Sequence, residues 1–115
     1  MIIKDIKVEN EKGKEFELEV YINVKSILAI ERDLKQLNPK YNYYTALPLI
    51  DKGEMTITLI YICNSIHKRG EKRPVGIDFF DDNDIDFFKY SKELVLKLVE
   101  CFRDNNPTVK QETGK

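Results

Sequence analysis

The longest apolar run of the chain, Met55 to Ile66, is the feature that most constrains its fold. It carries no charged residue, yet it is well short of the ~20 residues that a helix needs to cross a bilayer. We therefore exclude a membrane anchor and predict a helix over about 52–69. Because its apolar side chains point nearly all round, this helix should be central and covered on several sides.

The flanks of this run favour a helix as well. Asp51 with Glu54 three residues later resembles a capping box. Basic residues at the other end suit the negative end of a helix dipole; they are His67, Lys68 and Arg69. The run is also rich in β-branched residues, so a strand stays open as the alternative, although length and the basic ending favour the helix.

Strict alternation near the start of the chain predicts a β-hairpin over 2–22. Apolar residues of one parity alternate with charged ones in two stretches: Ile2, Ile6 and Val8, then Phe16, Leu18, Val20 and Ile22. Such a period indicates two strands, each with one buried face. Gly13 in the joint between them is free to adopt a positive φ. A lone hairpin is marginal in water, so helices must cover its apolar face.

Helical spacing predicts two further helices. The first covers 24–37, with Asn23 as its cap and Asn38-Pro39 as its stop. The last covers about 83–103, and its apolar stripe consists of Phe87, Ser91, Leu94, Val95, Leu98 and Phe102. A helix with one such stripe packs that face on a core.

The remaining segments complete the layout. Residues 40–50 have no clean period and are predicted to form an ordered connector or an irregular short helix. We predict an α+β fold in which an N-terminal antiparallel β-hairpin packs against about three α-helices. One globular domain would cover 1–107, and a flexible polar tail would cover 108–115.

Charge and cysteine content restrict the possible functions. Lysine and arginine number 19 against 20 aspartates and glutamates, a formal net charge of −1. Proteins that bind nucleic acid usually carry a basic face, and this near-neutral total gives no sign of one. Lys4 and Asp5 interrupt the start before any hydrophobic run, so we expect no signal peptide and a reducing cytosol. Cys63 and Cys101 fall in apolar helical patterns and should be buried free thiols.

The Asp-rich segment before the last helix invites a calcium-site interpretation. Its residues match the acidic positions of an EF-hand loop: Asp82, Asp84, Asp86 and Glu93. The match fails at the sixth position, where the sharp turn needs glycine and the chain has Phe87. We expect no metal here, and expect Asp81, Asp82 and Asp84 to crowd a helix N-terminus, where negative charge is stabilising.

Catalytic patterns are missing from the sequence. His67 is the only histidine, and no cysteine or histidine neighbours it at zinc-ligand spacing. Cys63 lies one turn before it, so a Cys–His couple is conceivable, but a thiol on an apolar stripe is usually inert. We expect a protein that is not an enzyme and needs no cofactor.

Two groups of side chains are candidates for contacts with another protein: Tyr41, Tyr43, Tyr44, Lys68, Arg69 and Arg73. The tyrosines fit either plain packing or a partner surface, and no basic stripe accompanies them as base stacking would require. The cations could hold phosphate, but Glu71 lies among them, and a solvated helix end followed by a charged loop is the favoured explanation.

In its order of elements the chain resembles the tail assembly chaperones of long-tailed phages and prophages. A Gly13-Lys14-Glu15-Phe16 turn opens the second strand, and a helix with Ile30-Glu31 follows. A largely apolar helix ending at a basic bend comes next, and an acidic segment precedes a last amphipathic helix. The resemblance covers about residues 1–107 and rests on pattern.

The resemblance implies a function without an active site. Such proteins coat the aggregation-prone tape measure protein, help to recruit tail tube subunits and often self-associate. They would act in the cytoplasm of the bacterial host and be absent from the finished virion. The alternative is a small phage or bacterial regulator or inhibitor that binds one protein or nucleic-acid target, the latter through the 67–73 cluster.

Overall fold

The computed structural model describes residues 2–104, which form a three-stranded antiparallel sheet and a set of helices. In chain order the elements are β1 (Lys4–Glu9), β2 (Glu15–Val20), α1 (Val24–Leu37), α2 (Pro48–Asp51), α3 (Met55–Cys63), β3 (Ile66–Lys68), α4 (Phe79–Asp82) and α5 (Phe87–Asp104). The predicted α+β class is confirmed. The end of the predicted domain at 107 and the predicted tail 108–115 lie outside the described residues.

The N-terminal hairpin predicted over 2–22 is confirmed, but its strands cover only 4–9 and 15–20, and Ile2, expected on the buried face, is exposed. β1 and β2 are antiparallel, with Ile6 opposite Leu18 and Val8 opposite Phe16. Ile6, Val8 and Leu18 are buried, so one face of the hairpin lies on the core. Gly13 adopts the expected left-handed conformation, with φ of 84°. The side chain of Asn10 closes the turn by accepting hydrogen bonds from two backbone N–H groups.

The third strand was not predicted, and the expected helix over 52–69 is wrong in its last turns. α3 ends at Cys63, and β3 pairs antiparallel with β2, which becomes the central strand. The side chains of Asn64 and Ser65 donate to the carbonyls of Ile60 and Tyr61, at 2.9 and 2.7 Å. Such side-chain bonds compete with the next helical turn, and the open edge of β2 offers the released segment a partner.

α1 agrees with its prediction at both ends. Asn23 is its N-cap, and the side-chain oxygen of Asn23 accepts a hydrogen bond from the Ser26 N–H at 2.8 Å. Asn38 ends the helix, with its own N–H bonded to the Leu34 carbonyl. The buried positions Ser26, Ile30 and Leu34 repeat every four residues and place this face against α3.

The start of the apolar helix differs from the expected capping box. Asp51 belongs to the short helix α2, which lies partly in the connector predicted to hold an irregular helix. Glu54 is the N-cap of α3, but its side chain makes no capping bond. Gly53, with φ of 79°, separates the two helices. α3 is buried on several sides as expected, since its buried residues include Ile57, Ile60, Tyr61, Ile62 and Cys63.

The C-terminal helical region is broken where one helix from about 83 was expected. Asp84 has φ of 57°, a left-handed conformation that a continuous α-helix does not accommodate. α4 therefore ends before it, and α5 begins only at Phe87. Asp86 caps α5, because its side chain accepts a hydrogen bond from the Phe88 N–H at 3.1 Å.

The buried apolar residues of sheet and helices form one continuous cluster. It includes Leu18 and Val20 from the sheet and Leu94 and Leu98 from α5. α3 contacts both α1 and α5, and α5 also contacts β1 and β2. Within residues 2–104 no helix has the length and apolar character that a bilayer crossing requires.

Candidate functional site

Tyr43, one of the candidate interaction residues, is part of the core. It is 8% exposed, and its ring centroid lies 5.7 Å from that of Tyr61 and 5.9 Å from that of Phe102. Its N–H donates to a carboxylate oxygen of Glu31 at 2.9 Å, and its carbonyl accepts a hydrogen bond from the Tyr61 hydroxyl. Burial raises the pKa of both tyrosines. Tyr43 therefore holds the connector onto α1 and α3.

The two neighbouring tyrosines differ in their access to solvent. Tyr44 is 74% exposed and packs edge-on against Tyr43 at 5.2 Å. Tyr41 is half-buried, and its carbonyl accepts a hydrogen bond from the Lys35 ammonium at 3.1 Å. Of the three predicted tyrosines, only Tyr44 offers most of its ring to a partner.

The predicted basic cluster is divided in the structure. Arg69 donates to a carboxylate oxygen of Glu17 at 2.9 Å, and this hydrogen bond holds the pKa of Glu17 below its usual range. Lys68 and Arg73 border a separate shallow hollow, together with Glu71. All three cations are exposed, but they do not form one binding site.

His67 is buried under the N-terminus of α1, contrary to the expectation of a solvated helix end. Its ring stacks on Tyr21 with centroids 3.7 Å apart, and its Nε2 lies 3.4 Å from the Ser26 hydroxyl. Its Nδ1 has no hydrogen-bond partner among the described residues. Burial lowers the pKa of His67, against the opposing effect of the Glu19 and Ser65 carbonyls. Burial thus favours the neutral form of the ring.

Both cysteines are buried free thiols, as predicted. Burial, with a smaller contribution from Asp33, raises the pKa of Cys63 to about 12. The Cys101 thiol donates to the Val20 carbonyl at 3.4 Å. A protonated, buried thiol is a poor nucleophile, so neither side chain is presented for surface chemistry.

The acidic residues around α4 make structural contacts. The Asp84 carboxylate lies 3.7 Å from the Lys12 ammonium, and the Asp84 carbonyl accepts a hydrogen bond from the Glu11 N–H at 3.0 Å. Asp81 and Asp82 lie in α4 and not at the N-terminus of the last helix, as was expected. The acidic residue that caps the N-terminus of α5 is Asp86. No group of three or more potential metal ligands occurs among residues 2–104.

The structure shows an apolar surface that the sequence reasoning missed. A groove of about 270 Å3, called here the α3–α5 groove, is lined by Met55, Thr58, Phe87, Ser91, Lys92, Val95 and Leu96. Leu96 is 58% exposed and Met55 46% exposed. Phe88 and Val99 are exposed as well; Phe88 lies seven residues before Val95 and Val99 four residues after it, which places the three on the same side of α5.

The signal for this surface was present in the sequence. α5 carries apolar residues beyond those of its predicted stripe, at 88, 96 and 99. A second stripe of this kind indicates a helix with two apolar contacts. Which of the two stripes is buried depends on how α5 packs against the sheet and α3. The spacing of the apolar residues alone therefore does not show which stripe faces the core.

A second, larger groove has a basic lining. It measures about 630 Å3 and is called here the basic groove; its residues are Lys25, Leu28, Ala29, Arg32, Asn64, Arg73, Pro74 and Gly76. Of the predicted interaction residues, only Arg73 belongs to it. Lys25 and Arg32 are seven residues apart on the outer face of α1, a spacing that could have been read from the sequence.

Comparisons of this chain with protein-family models, with curated proteins and with solved structures give no match. The functional argument therefore rests on the surfaces described above.

Proposed function

We propose that this chain is a non-enzymatic tail assembly chaperone of a long-tailed phage or prophage, and that its α3–α5 groove binds a helical segment of the tape measure protein. In this role it keeps the tape measure protein soluble and helps to recruit tail tube subunits. It acts in the cytoplasm of the bacterial host, self-associates there and leaves before the virion is complete.

The observation that carries the proposal is the exposed apolar surface of α5. Phe88 is 73% exposed, Leu96 58% and Val99 37%, and Met55 from the start of α3 lines the groove together with Leu96. Several exposed apolar residues on one helix of this kind indicate a protein-contact surface. A chaperone for an aggregation-prone helical protein needs such a surface, because its task is to cover apolar side chains before assembly.

The dimensions of this surface suit a helix. Phe88 to Val99 spans about 16 Å along α5, at 1.5 Å per residue. That length matches roughly three turns of a partner helix, whose apolar residues at i, i+3, i+4 and i+7 would lie in the groove. Lys92 lies beside the apolar residues, so an acidic residue at the edge of the partner's stripe would add to binding.

The chemistry of the buried groups supports a non-enzymatic role. His67 and both thiols are enclosed by the core, where a substrate does not reach them in this fold. The regulator alternative has weaker support in its nucleic-acid form, because Arg69 is paired with Glu17 and lies apart from Lys68 and Arg73. Cations that are separated in this way attract the phosphates of a nucleic acid only weakly.

Co-expression with the tape measure protein of the same genome tests the proposal. We expect the chain to shift that protein from the insoluble to the soluble fraction, and Leu96→Asp to abolish the effect. Leu37→Asp is the matched control, since Leu37 is 50% exposed but lies at the end of α1. A tape measure protein that stays insoluble with the wild-type chain would refute the chaperone role. Equal effects of both variants would refute the groove assignment.

A further inference from the structure

The geometry points to a second protein-binding surface: we infer that the basic groove binds an acidic, partly apolar segment of a partner protein. This surface shares no lining residue with the α3–α5 groove. The inference therefore does not depend on the identity of the chain as a tail assembly chaperone.

The walls of the basic groove are fixed by the fold. α1 forms one wall, and the segment through Arg73, Pro74 and Gly76 forms the other. The Gly76 N–H donates to the Cys63 carbonyl at 3.0 Å, and the side chain of Asn23 donates to the Lys72 carbonyl at 3.1 Å. These bonds join the second wall to α3 and to the start of α1. The groove is thus preformed, and a ligand would not have to order it.

Positive charge accumulates in the groove and is only partly compensated, by Asp33 beside Arg32. Lys25 and Arg73 have no ion-pair partner among residues 2–104. Arg32 contacts the neighbouring Asp33 through its Nε at 3.1 Å, and its terminal guanidinium nitrogens form no ion pair with residues 2–104. Asp33 also accepts a hydrogen bond from Asn64 at 2.8 Å, so it is already engaged. A chain of net charge −1 with such a groove presents a local field that attracts anions.

The lining indicates what kind of anion fits. Leu28, which is 63% exposed, lies between Lys25 and Arg32 on α1, and Pro74 faces the groove from the other wall. A carboxylate-bearing peptide with an apolar residue matches this mixture of charge and apolar surface. Among the described residues no aromatic ring lines the groove, and single-stranded nucleic acid usually requires rings on which its bases stack.

Spacing further defines the partner. Lys25 and Arg32 are seven residues apart, which corresponds to about 10 Å along α1. A partner helix with two glutamates seven residues apart and a leucine between them would place its carboxylates on these cations and its leucine on Leu28. Arg73 would then face one of the carboxylates from the opposite wall and could bind it through two N–H groups.

An NMR titration of the full-length, 15N-labelled chain tests the inference. The probe is a synthetic helical peptide with glutamate at every seventh position and leucine midway between, and its glutamine counterpart is the control ligand. We expect shift changes concentrated at the amides of Lys25, Leu28, Arg32 and Arg73, and weaker binding at higher salt. Arg73→Gln should weaken binding about tenfold. Arg103→Gln, an exposed arginine of α5, should leave it unchanged.

Several results would overturn the inference. They are absence of saturable binding by the glutamate peptide, equal binding of the glutamine peptide, or equal effects of Arg73→Gln and Arg103→Gln. Binding of a single-stranded oligonucleotide or of anionic phospholipid vesicles at this groove, without binding of the peptide, would also overturn it. Leu96→Asp should leave the titration unchanged, so failure here is distinct from failure of the chaperone proposal. Circular dichroism of each variant verifies that it is folded.

Discussion

Leu98→Ala and Leu96→Ala form a matched pair that tests how α5 is oriented in the fold. Both residues are leucines of the same helix, but Leu98 is completely buried and Leu96 is 58% exposed. Losing three carbon groups at about 0.8 kcal/mol each costs roughly 2.4 kcal/mol at a fully buried site. The cavity left at Leu98 raises the cost to about 3–4 kcal/mol. Scaled by its buried fraction, the cost at Leu96 is about 1 kcal/mol.

Urea unfolding followed by far-ultraviolet circular dichroism measures both free energies of unfolding. We expect Leu98→Ala to lose about 2–3 kcal/mol more than Leu96→Ala, with the slope against urea unchanged. Ala is a slightly better helix former than Leu, and this small gain cancels in the comparison. Equal losses, or a larger loss for Leu96→Ala, would refute the orientation of α5 and with it the α3–α5 groove.

Three further predictions concern the stability contributed by the N-cap of α1, by Tyr43 and by the buried ring of His67. Asn23→Ala should lower the free energy of unfolding by about 1–2 kcal/mol, because it removes the N-cap of α1. Asn23→Asp, measured by the same urea assay, should recover only part of this loss, since aspartate keeps the capping oxygen but cannot donate to the Lys72 carbonyl. Tyr43→Ala should destabilise the protein by about 3–5 kcal/mol in thermal melts and Tyr44→Ala by less than about 1, and similar losses would contradict the packing of the connector. The pKa of His67 is lowered in the folded state, so the unfolded chain binds the proton more tightly and stability should fall as pH drops below the ordinary histidine value of about 6.5. Urea midpoints at pH 7.5 and 5.5 should differ more for the wild type than for His67→Gln, and an equal difference would contradict the burial of a neutral ring.

Where local signals decide the structure, the sequence was sufficient. The hairpin follows from alternation and from the turn at Gly13, and α1 follows from its cap and its stop. β3 could not be predicted in this way, because residues 66–68 become a strand through pairing with β2, some 46 to 50 residues away. The break at Asp84 is likewise a backbone conformation that the hydrophobic period does not report.

The candidate binding surfaces were harder to predict from the sequence than the fold. Tyr43 and Tyr44 are adjacent and identical, yet one is buried and the other exposed, because Tyr61 and Phe102 enclose only the first. Proximity in sequence also suggested that Lys68, Arg69 and Arg73 act together, and the turn after β3 separates them. Arg73 instead joins cations of α1 that are more than 40 residues away in the chain.

Site-specific photo-crosslinking tests the central claim most directly. A photoreactive phenylalanine analogue at position 96 reports contact with the α3–α5 groove, and the same analogue at position 37 reports an exposed site outside it. With the tape measure protein co-expressed, we predict a crosslink from position 96 to an apolar helical segment of that protein and none from position 37. Crosslinking from position 37 alone, from both positions equally, or from neither would contradict the claim.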